Sequence, residues 1–316
     1  MGQLSLLSQQ NSLTSDSANI RRLDLKVGYA CSNDCLFCVV ADKRVKGEKT
    51  TAQIKKELRD SYREGKREVV LTGGEVTIRP DIFEIVEYAR SIGYENVPLQ
   101  TNGRRFADRE FCKRMARAGM TTLMASLHGP DASIHDGLTC RPGSWRQTVL
   151  GIHHMIELGV KTVTNTVVTK QNYTHLPDMA RLLVKLGVLQ FQFAFVHIQG
   201  HALTYYKKIV PRISKAAIYM MKGLEIGLQS GRRVMTEAVP LCLLPGYEKY
   251  AAEFLIPPSQ CKEIGNVVEN FDVVRKFVAK IKLPGCRRCR WCAQCEGPWI
   301  EYPKLFGTKE FKPVTA

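Results

Sequence analysis

The sequence has no uninterrupted apolar run of the roughly 18–20 residues needed to cross a bilayer, which excludes an integral membrane helix. It also lacks a secretory signal. Met1 to Asn19 carries no basic start and no real apolar stretch, and is instead rich in Ser, Gln and Asn. Residues 1–20 therefore read as a disordered lead-in, and the chain is expected to stay in the cytoplasm. There is no paired-cysteine, paired-histidine zinc-finger pattern, no RNP-like aromatic motif and no separate RNA-binding segment. No repeat is visible beyond alternating strands and helices.

Negative charge is also in short supply. Lys and Arg number 46 against 30 Asp and Glu, a net charge of +16 over 316 residues. Such a field favours nucleic acid, anionic lipid headgroups or an acidic peptide; a merely solvated basic surface is the plainer reading. The basic residues are dispersed, with local densities at Lys43–Lys49, Lys207–Lys215 and Lys280–Arg290.

The sequence does contain a rhythm. Strand-like runs at Leu23–Ala30, Glu68–Thr72, Asn96–Thr101, Thr121–Leu127, Val160–Val168 and Leu189–Val196 are rich in β-branched residues. Helical patterns at Thr51–Gly65, Asp81–Ile92, Asp108–Ala118, Ser144–Leu158, His175–Leu186 and Ser214–Gln229 follow them. Alternation of this kind predicts parallel βα units with right-handed crossovers. Six units fall two short of a closed eight-fold barrel. The expected fold is thus α/β, a partial, open (β/α)6 TIM-like barrel over residues 21–230. Prolines and six cysteines crowd residues 231–316, which read as a small cysteine-rich module nucleated by metal.

The eleven cysteines are many for a reducing compartment, and seven fall in two tight groups. Cytosolic cysteines two or three residues apart usually ligate metal. Cys31, Cys35 and Cys38 follow the first strand, at the barrel rim where active sites form. Three thiolates leave a fourth position open, as a chemical site requires; a three-quarters-complete zinc site is the alternative. Cys286, Cys289, Cys292 and Cys295 form the second group, with Cys242 and Cys261 upstream. Two C-x2-C knuckles suit zinc, and an iron–sulfur cluster is the other reading.

The first triad, with Phe37 before its last cysteine, resembles the signature C-x3-C-x2-C of the radical S-adenosylmethionine superfamily. Gly73, Gly74 and Glu75, at the end of the second strand, look like the GGE motif of that family. The resemblance implies a catalytic four-iron four-sulfur cluster on Cys31, Cys35 and Cys38, whose open iron chelates S-adenosyl-L-methionine. It implies that the backbone around Gly73 and Gly74 meets the methionine ammonium, with the charge of Glu75 nearby, and that Phe37 packs near the adenine. By the same resemblance Asn102, Ser126 and Asn165 are candidate cofactor contacts, and Arg141 would pair with the methionine carboxylate. His197 reads as a structural histidine. Cys140, beside Arg141, is a speculative hydrogen donor.

The C-terminal group is similar to an auxiliary-cluster appendage, SPASM or its shorter form twitch. Cys286, Cys289 and Cys295 meet its C-x2-C-x5-C spacing, and Cys242 would complete a second four-iron cluster. Cys261 and Cys292 are the alternates. The resemblance implies reductive cleavage of S-adenosylmethionine to a 5′-deoxyadenosyl radical, which abstracts hydrogen from a peptide or protein. Dehydrogenation of a small alcohol and RNA modification are the alternatives, and a metal-stabilised binding protein is the non-enzymatic one. A reducing partner such as flavodoxin or ferredoxin is implied. A separate recognition protein is expected, because no leader-recognition domain is apparent.

Overall fold

The computed structural model describes residues 20–315, so the expected N-terminal lead-in lies, up to residue 19, outside the described residues. The six expected strands form as β1 (Arg22–Lys26), β2 (Glu68–Thr72), β3 (Pro98–Thr101), β4 (Thr122–Ser126), β5 (Lys161–Val168) and β6 (Gln190–Phe195). Their neighbours along the chain are α1 (Thr51–Arg63), α2 (Ile82–Ser91), α3 (Arg109–Ala118), α4 (Ala132–Thr139), α5 (Ser144–Glu157), α6 (Leu176–Leu186) and α7 (Ile213–Gln229). Helix α4, in the loop after β4, has no counterpart in the sequence reading. Its sequence is short and only weakly amphipathic.

The strands lie in one nine-stranded sheet in the order β7-β6-β5-β4-β3-β2-β1-β8-β9. Every neighbouring pair is parallel except β8–β9. Consecutive strands from β1 to β7 therefore sit side by side, as βα crossovers of one hand demand. Three strands come from beyond residue 230, where the sequence suggested that the βα rhythm had ended. β7 (Arg233–Glu237) pairs with β6, β8 (Ser259–Glu263) pairs with β1, and β9 (Asn266–Val268) closes that edge. The sequences RVMTE and SQCKE lack the apolar run that marks the inner strands, and pairing with an existing edge supplies what their composition does not.

The core lies between sheet and helices. Leu23, Leu25, Leu71, Leu99, Leu123, Phe191 and Phe193 are fully buried on the strands, against Ile54, Leu58, Ile85, Met115 and Leu183 on the helices. Each such side chain contributes about 1.5–3 kcal/mol by leaving water. The helix ends are locally specified. Thr50 and Gln53 form a reciprocal capping box at the start of α1. Gly119 and Gly187 end α3 and α6 in the left-handed conformation. Among the described residues, no helix is long and apolar enough to cross a membrane.

Candidate active site

The loop after β1 carries the first cysteine triad and is held mostly through its backbone. Ser32 carbonyl oxygen accepts from Arg104 Nη1 at 2.8 Å and from Arg141 Nε at 3.1 Å. Arg44 donates to Asn33 oxygen at 3.1 Å and to Asp34 Oδ1 at 2.8 Å. Asp34 and Leu36 amides donate to Thr139 and Leu138 carbonyls at the end of α4, each at 3.0 Å. Three arginines and one helix end thus fix the loop. All three cysteines are half-buried and all line one cavity of about 340 Å³.

Burial raises the Cys31 and Cys35 thiols above their ordinary value, and for Cys35 the two neighbouring thiols add to it. Such thiols are poor nucleophiles when free and are deprotonated by coordination to a cation. The positive charge of Arg44 lies close enough to act on Cys31 and Cys38, and Asn33 amide donates to Cys31 Sγ at 3.4 Å. Three thiols on one cavity, beside a cation and an N–H donor, fit an anionic iron–sulfur cluster.

The end of β2 crosses this loop at close range. Gly74 and Glu75 amides donate to Gly28 and Ala30 carbonyls at 2.9 and 2.8 Å. A Cβ on Gly73 would stand 2.2 Å from Gly28 oxygen, and one on Gly74 2.2 Å from Ala30 oxygen. Gly73 also has φ +137°. The two glycines are required where two backbones meet, which is a constraint apart from any ligand.

Glu75 departs from the sequence expectation. It is 3% exposed and does not line the cavity. Its carboxylate accepts from Thr77 amide at 2.9 Å, Thr77 Oγ1 at 2.5 Å, Thr101 Oγ1 at 2.6 Å and Asn102 amide at 2.6 Å. With four donors satisfied, it ties the end of β2 to the end of β3. Asn102, so placed, donates from Nδ2 to Ser32 Oγ at 2.9 Å.

Phe37, Gly73, Gly74, Asn102, Ser126 and Asn165 all line the cavity. Phe37 is buried and meets His128 edge-on, with ring centroids 4.7 Å apart. Arg141 and Cys140 are not on the lining. Arg141 is spent on the cysteine-loop backbone, and Cys140 ends α4 exposed, in the left-handed conformation with φ 54°. They were expected there from the family resemblance; the end of α4 packs on the cysteine loop and leaves both beside the cavity, off its lining.

A family model, the radical SAM superfamily, matches residues 25–183, half of the chain, with the cysteine loop, the glycine pair and the strand ends inside the match. The chain belongs to the radical SAM superfamily. The family carries a four-iron four-sulfur cluster and S-adenosylmethionine. Among curated relatives, the AdoMet-dependent heme synthase of Methanosarcina barkeri is 30% identical over 168 residues, covering 52% of this chain and 48% of that protein. The mycofactocin maturase MftC of Mycobacterium tuberculosis is 30% identical over 167 residues, covering 52% and 42%. The chain thus spans about half the length of the curated relatives it matches. Streptococcus suis SuiB, solved bound to precursor peptide SuiA, superposes with a TM-score of 0.68 over 98% of this chain and 79% of SuiB, at 16% identity. That likeness shows the fold, the partial barrel of radical SAM proteins.

The C-terminal cysteine-rich region of this radical SAM chain fits a SPASM-like module. Cys242, Cys286, Cys289, Cys292 and Cys295 line a small cavity of about 30 Å³. Cys261 is elsewhere, buried in β8 opposite Asp24 of β1. Cys295 Sγ accepts from Leu241 and Gly297 amides at 3.5 and 3.4 Å, and Cys289 Sγ from Val314 amide at 3.4 Å. Burial, then the thiols of Cys295, Cys289 and Cys286, push the Cys242 thiol up to about 12. Among the described residues, no three His, Cys, Asp or Glu side chains converge as one metal ion requires.

Two cavity residues escaped the sequence reading, and a third was read there as structural. His197 lies just beyond β6, Glu237 ends β7, and Trp299 follows the last cysteine; all three line the cavity. His197 and Trp299 stack with centroids 3.8 Å apart, and neither His197 Nε2 nor Trp299 Nε1 has a hydrogen-bond partner. His197 is therefore no satisfied structural histidine. Burial, helped by the charge of Lys280, lowers its pKa to about 4, so the ring is neutral at pH 7. Position at a strand's C-terminal end was the available signal for His197 and Glu237. Trp299 had none.

Proposed function

We propose that the chain is a radical SAM enzyme that abstracts a hydrogen atom from a peptide or protein. The carrying observation is that Cys31, Cys35, Cys38, the Gly73–Gly74 strand end, Asn102, Ser126 and Asn165 line a single cavity. Its volume of about 340 Å³ falls within the range of small-molecule and cofactor sites. When bound there, a four-iron cluster with S-adenosylmethionine supplies the 5′-deoxyadenosyl radical. The three thiols hold the cluster, with one iron left to the substrate-side ligand. The Gly73–Gly74 backbone, Asn102, Ser126 and Asn165 bind and orient S-adenosylmethionine, and Phe37 packs against its base. Glu75 and Arg141 serve this site indirectly, by fixing the strand end and the cysteine loop. A reducing partner such as flavodoxin or ferredoxin supplies the electron.

A second four-iron cluster is assigned to Cys242, Cys286, Cys289 and Cys295. The N–H···S bonds to Cys289 and Cys295, and the thiols crowded around Cys242, support that set over one built on Cys261 or Cys292. Peptide as the substrate class is supported by the likeness to MftC, a mycofactocin maturase, and to SuiB, which is solved with a precursor peptide. The test is isotope transfer. A deuterated peptide substrate should pass deuterium to 5′-deoxyadenosine, read by mass spectrometry; transfer only from a deuterated small alcohol would favour the dehydrogenase alternative.

A further inference from the structure

One side of the cavity is built by adjacent strands β5, β6 and β7 together with Trp299, and its polar groups are left over after internal bonding. Asn165 Oδ1, His197 Nε2 and Trp299 Nε1 are buried without hydrogen-bond partners. Trp299 is 5% exposed and lines the cavity. Glu237 gives one carboxylate oxygen to Gln192 Nε2 at 2.5 Å; its other oxygen has no hydrogen bond among the described residues. Unmet polar atoms cost about 1–3 kcal/mol each when buried, so three on one wall, beside the unbonded oxygen of Glu237, mark it as facing a ligand.

The surrounding charges decide the sign of that ligand. Behind Glu237 lies a buried network in which Arg275 pairs with Glu296 at 3.0 Å and Asp272 at 2.7 Å, and Lys280 pairs with Glu253 at 2.5 Å and Glu296 at 2.9 Å. The two cations are thus already taken up by three carboxylates. Glu237 is a fourth, without a cation of its own. Burial and repulsion from Glu253 push its carboxyl above the usual carboxylate range, against the pull of Lys280 and Arg275. A local excess of acid within a chain of net charge +16 is unlike the rest of the molecule. Neutral His197, whose Nε2 stands 4.0 Å from Glu301 Oε2, adds an acceptor with a further carboxylate beside it. An ammonium or guanidinium group would meet both Glu237 and His197.

We propose that this wall is a substrate subsite for a basic group, in which Glu237 and His197 accept hydrogen bonds from a substrate ammonium or guanidinium. This deepens the peptide-modification reading and rests on it. Trp299 Nε1 is then free to donate to a carbonyl beside that group, as a peptide provides.

The test is equilibrium binding to the reconstituted holoenzyme without reductant. The probes are N-acetylated, C-amidated glycine-X-glycine peptides with X lysine, norleucine or glutamate, together with n-butylammonium. The lysine peptide should bind about tenfold tighter than the norleucine one, as expected for one charge-assisted pair. In E237Q that preference should fall to within about twofold. Competition by n-butylammonium would show that a free amine suffices, and its failure would show that the cation is read as part of a peptide; both support the subsite. Equal binding of lysine and norleucine peptides, no lysine-peptide binding at millimolar concentration, or an unchanged preference in E237Q would overturn it. Should E237Q lose its iron, the wild-type ranking decides alone. No radical chemistry occurs in this assay, so its failure leaves the radical SAM reading standing. Conversely, absent 5′-deoxyadenosine would overturn that reading and not the subsite.

Discussion

The imidazole of His197 and the indole of Trp299 stack with centroids 3.8 Å apart and planes 8° from parallel. One ring follows β6 and the other follows the last cysteine of the C-terminal group. The stack therefore joins the barrel to the cysteine-rich region across the cavity wall. The Lys280–Trp299 backbone bridge and the Lys280 ammonium, 5.0 Å from the indole centroid, hold the tryptophan from its own side.

Trp299→Ala should destabilise the protein by about 3–5 kcal/mol, the usual cost of deleting a large buried aromatic. A double-mutant cycle with His197→Ala should show coupling of about 0.5–1.5 kcal/mol. Denaturation midpoints measure both. Strict additivity would mean that the stack contributes nothing beyond burial.

Glu75→Gln leaves at least one of the four donors facing an NH2 group that cannot accept. A loss of about 1–3 kcal/mol is expected. Asn102 is set by Glu75 and bonds to Ser32, so iron retention by the first cluster should fall as well. An unchanged unfolding midpoint with full iron would show that Glu75 is not the tie between β2 and β3.

The sequence made some of this legible and not the rest, for physical reasons. The six inner strands alternate with amphipathic helical stretches, and the Cys31–Cys38 spacing and the Gly73–Gly74 pair are local patterns, so both could be read without the fold. β7 and β8 could not, because RVMTE and SQCKE become strands only by joining the edges at β6 and β1. Arg141 and Cys140 were expected at the cavity from the family resemblance, yet where α4 ends against the cysteine loop is a tertiary fact. The role of Glu75 as a buried tie depended on Thr101 and Asn102 of the next strand end. Trp299 reaches the cavity only through the path of the C-terminal segment.

His197 also makes stability depend on pH. Its pKa is about 4 in the folded chain against 6.5 ordinarily, so the unfolded chain binds more protons between those values. The contribution is full above pH 6.5 and is lost as pH falls toward 4; at pH 5 the loss is about 2 kcal/mol. His197→Phe keeps a ring against Trp299 and removes the proton site. Its melting temperature should therefore fall less between pH 7 and pH 5 than that of the wild type. Parallel pH curves for the two proteins would contradict the assignment.

The two cysteine groups should bind about eight irons per chain as two four-iron clusters. Replacing Cys31, Cys35 and Cys38 together with alanine should leave about four, as should Cys242→Ala alone, while Cys261→Ala and Cys292→Ala keep about eight. Iron analysis with electron resonance of each variant reads this directly. One zinc beside about four irons in the wild type would refute the second cluster.

The most direct measurement is production of 5′-deoxyadenosine by the anaerobically reconstituted protein with dithionite and S-adenosylmethionine. The wild type should release it, with or without substrate. Cys35→Ala should release none, because its two remaining thiolates hold a cluster poorly. A wild type with its clusters intact that forms no 5′-deoxyadenosine, or a Cys35→Ala variant that forms as much as the wild type, would contradict the assignment of the Cys31–Cys38 loop as the catalytic centre.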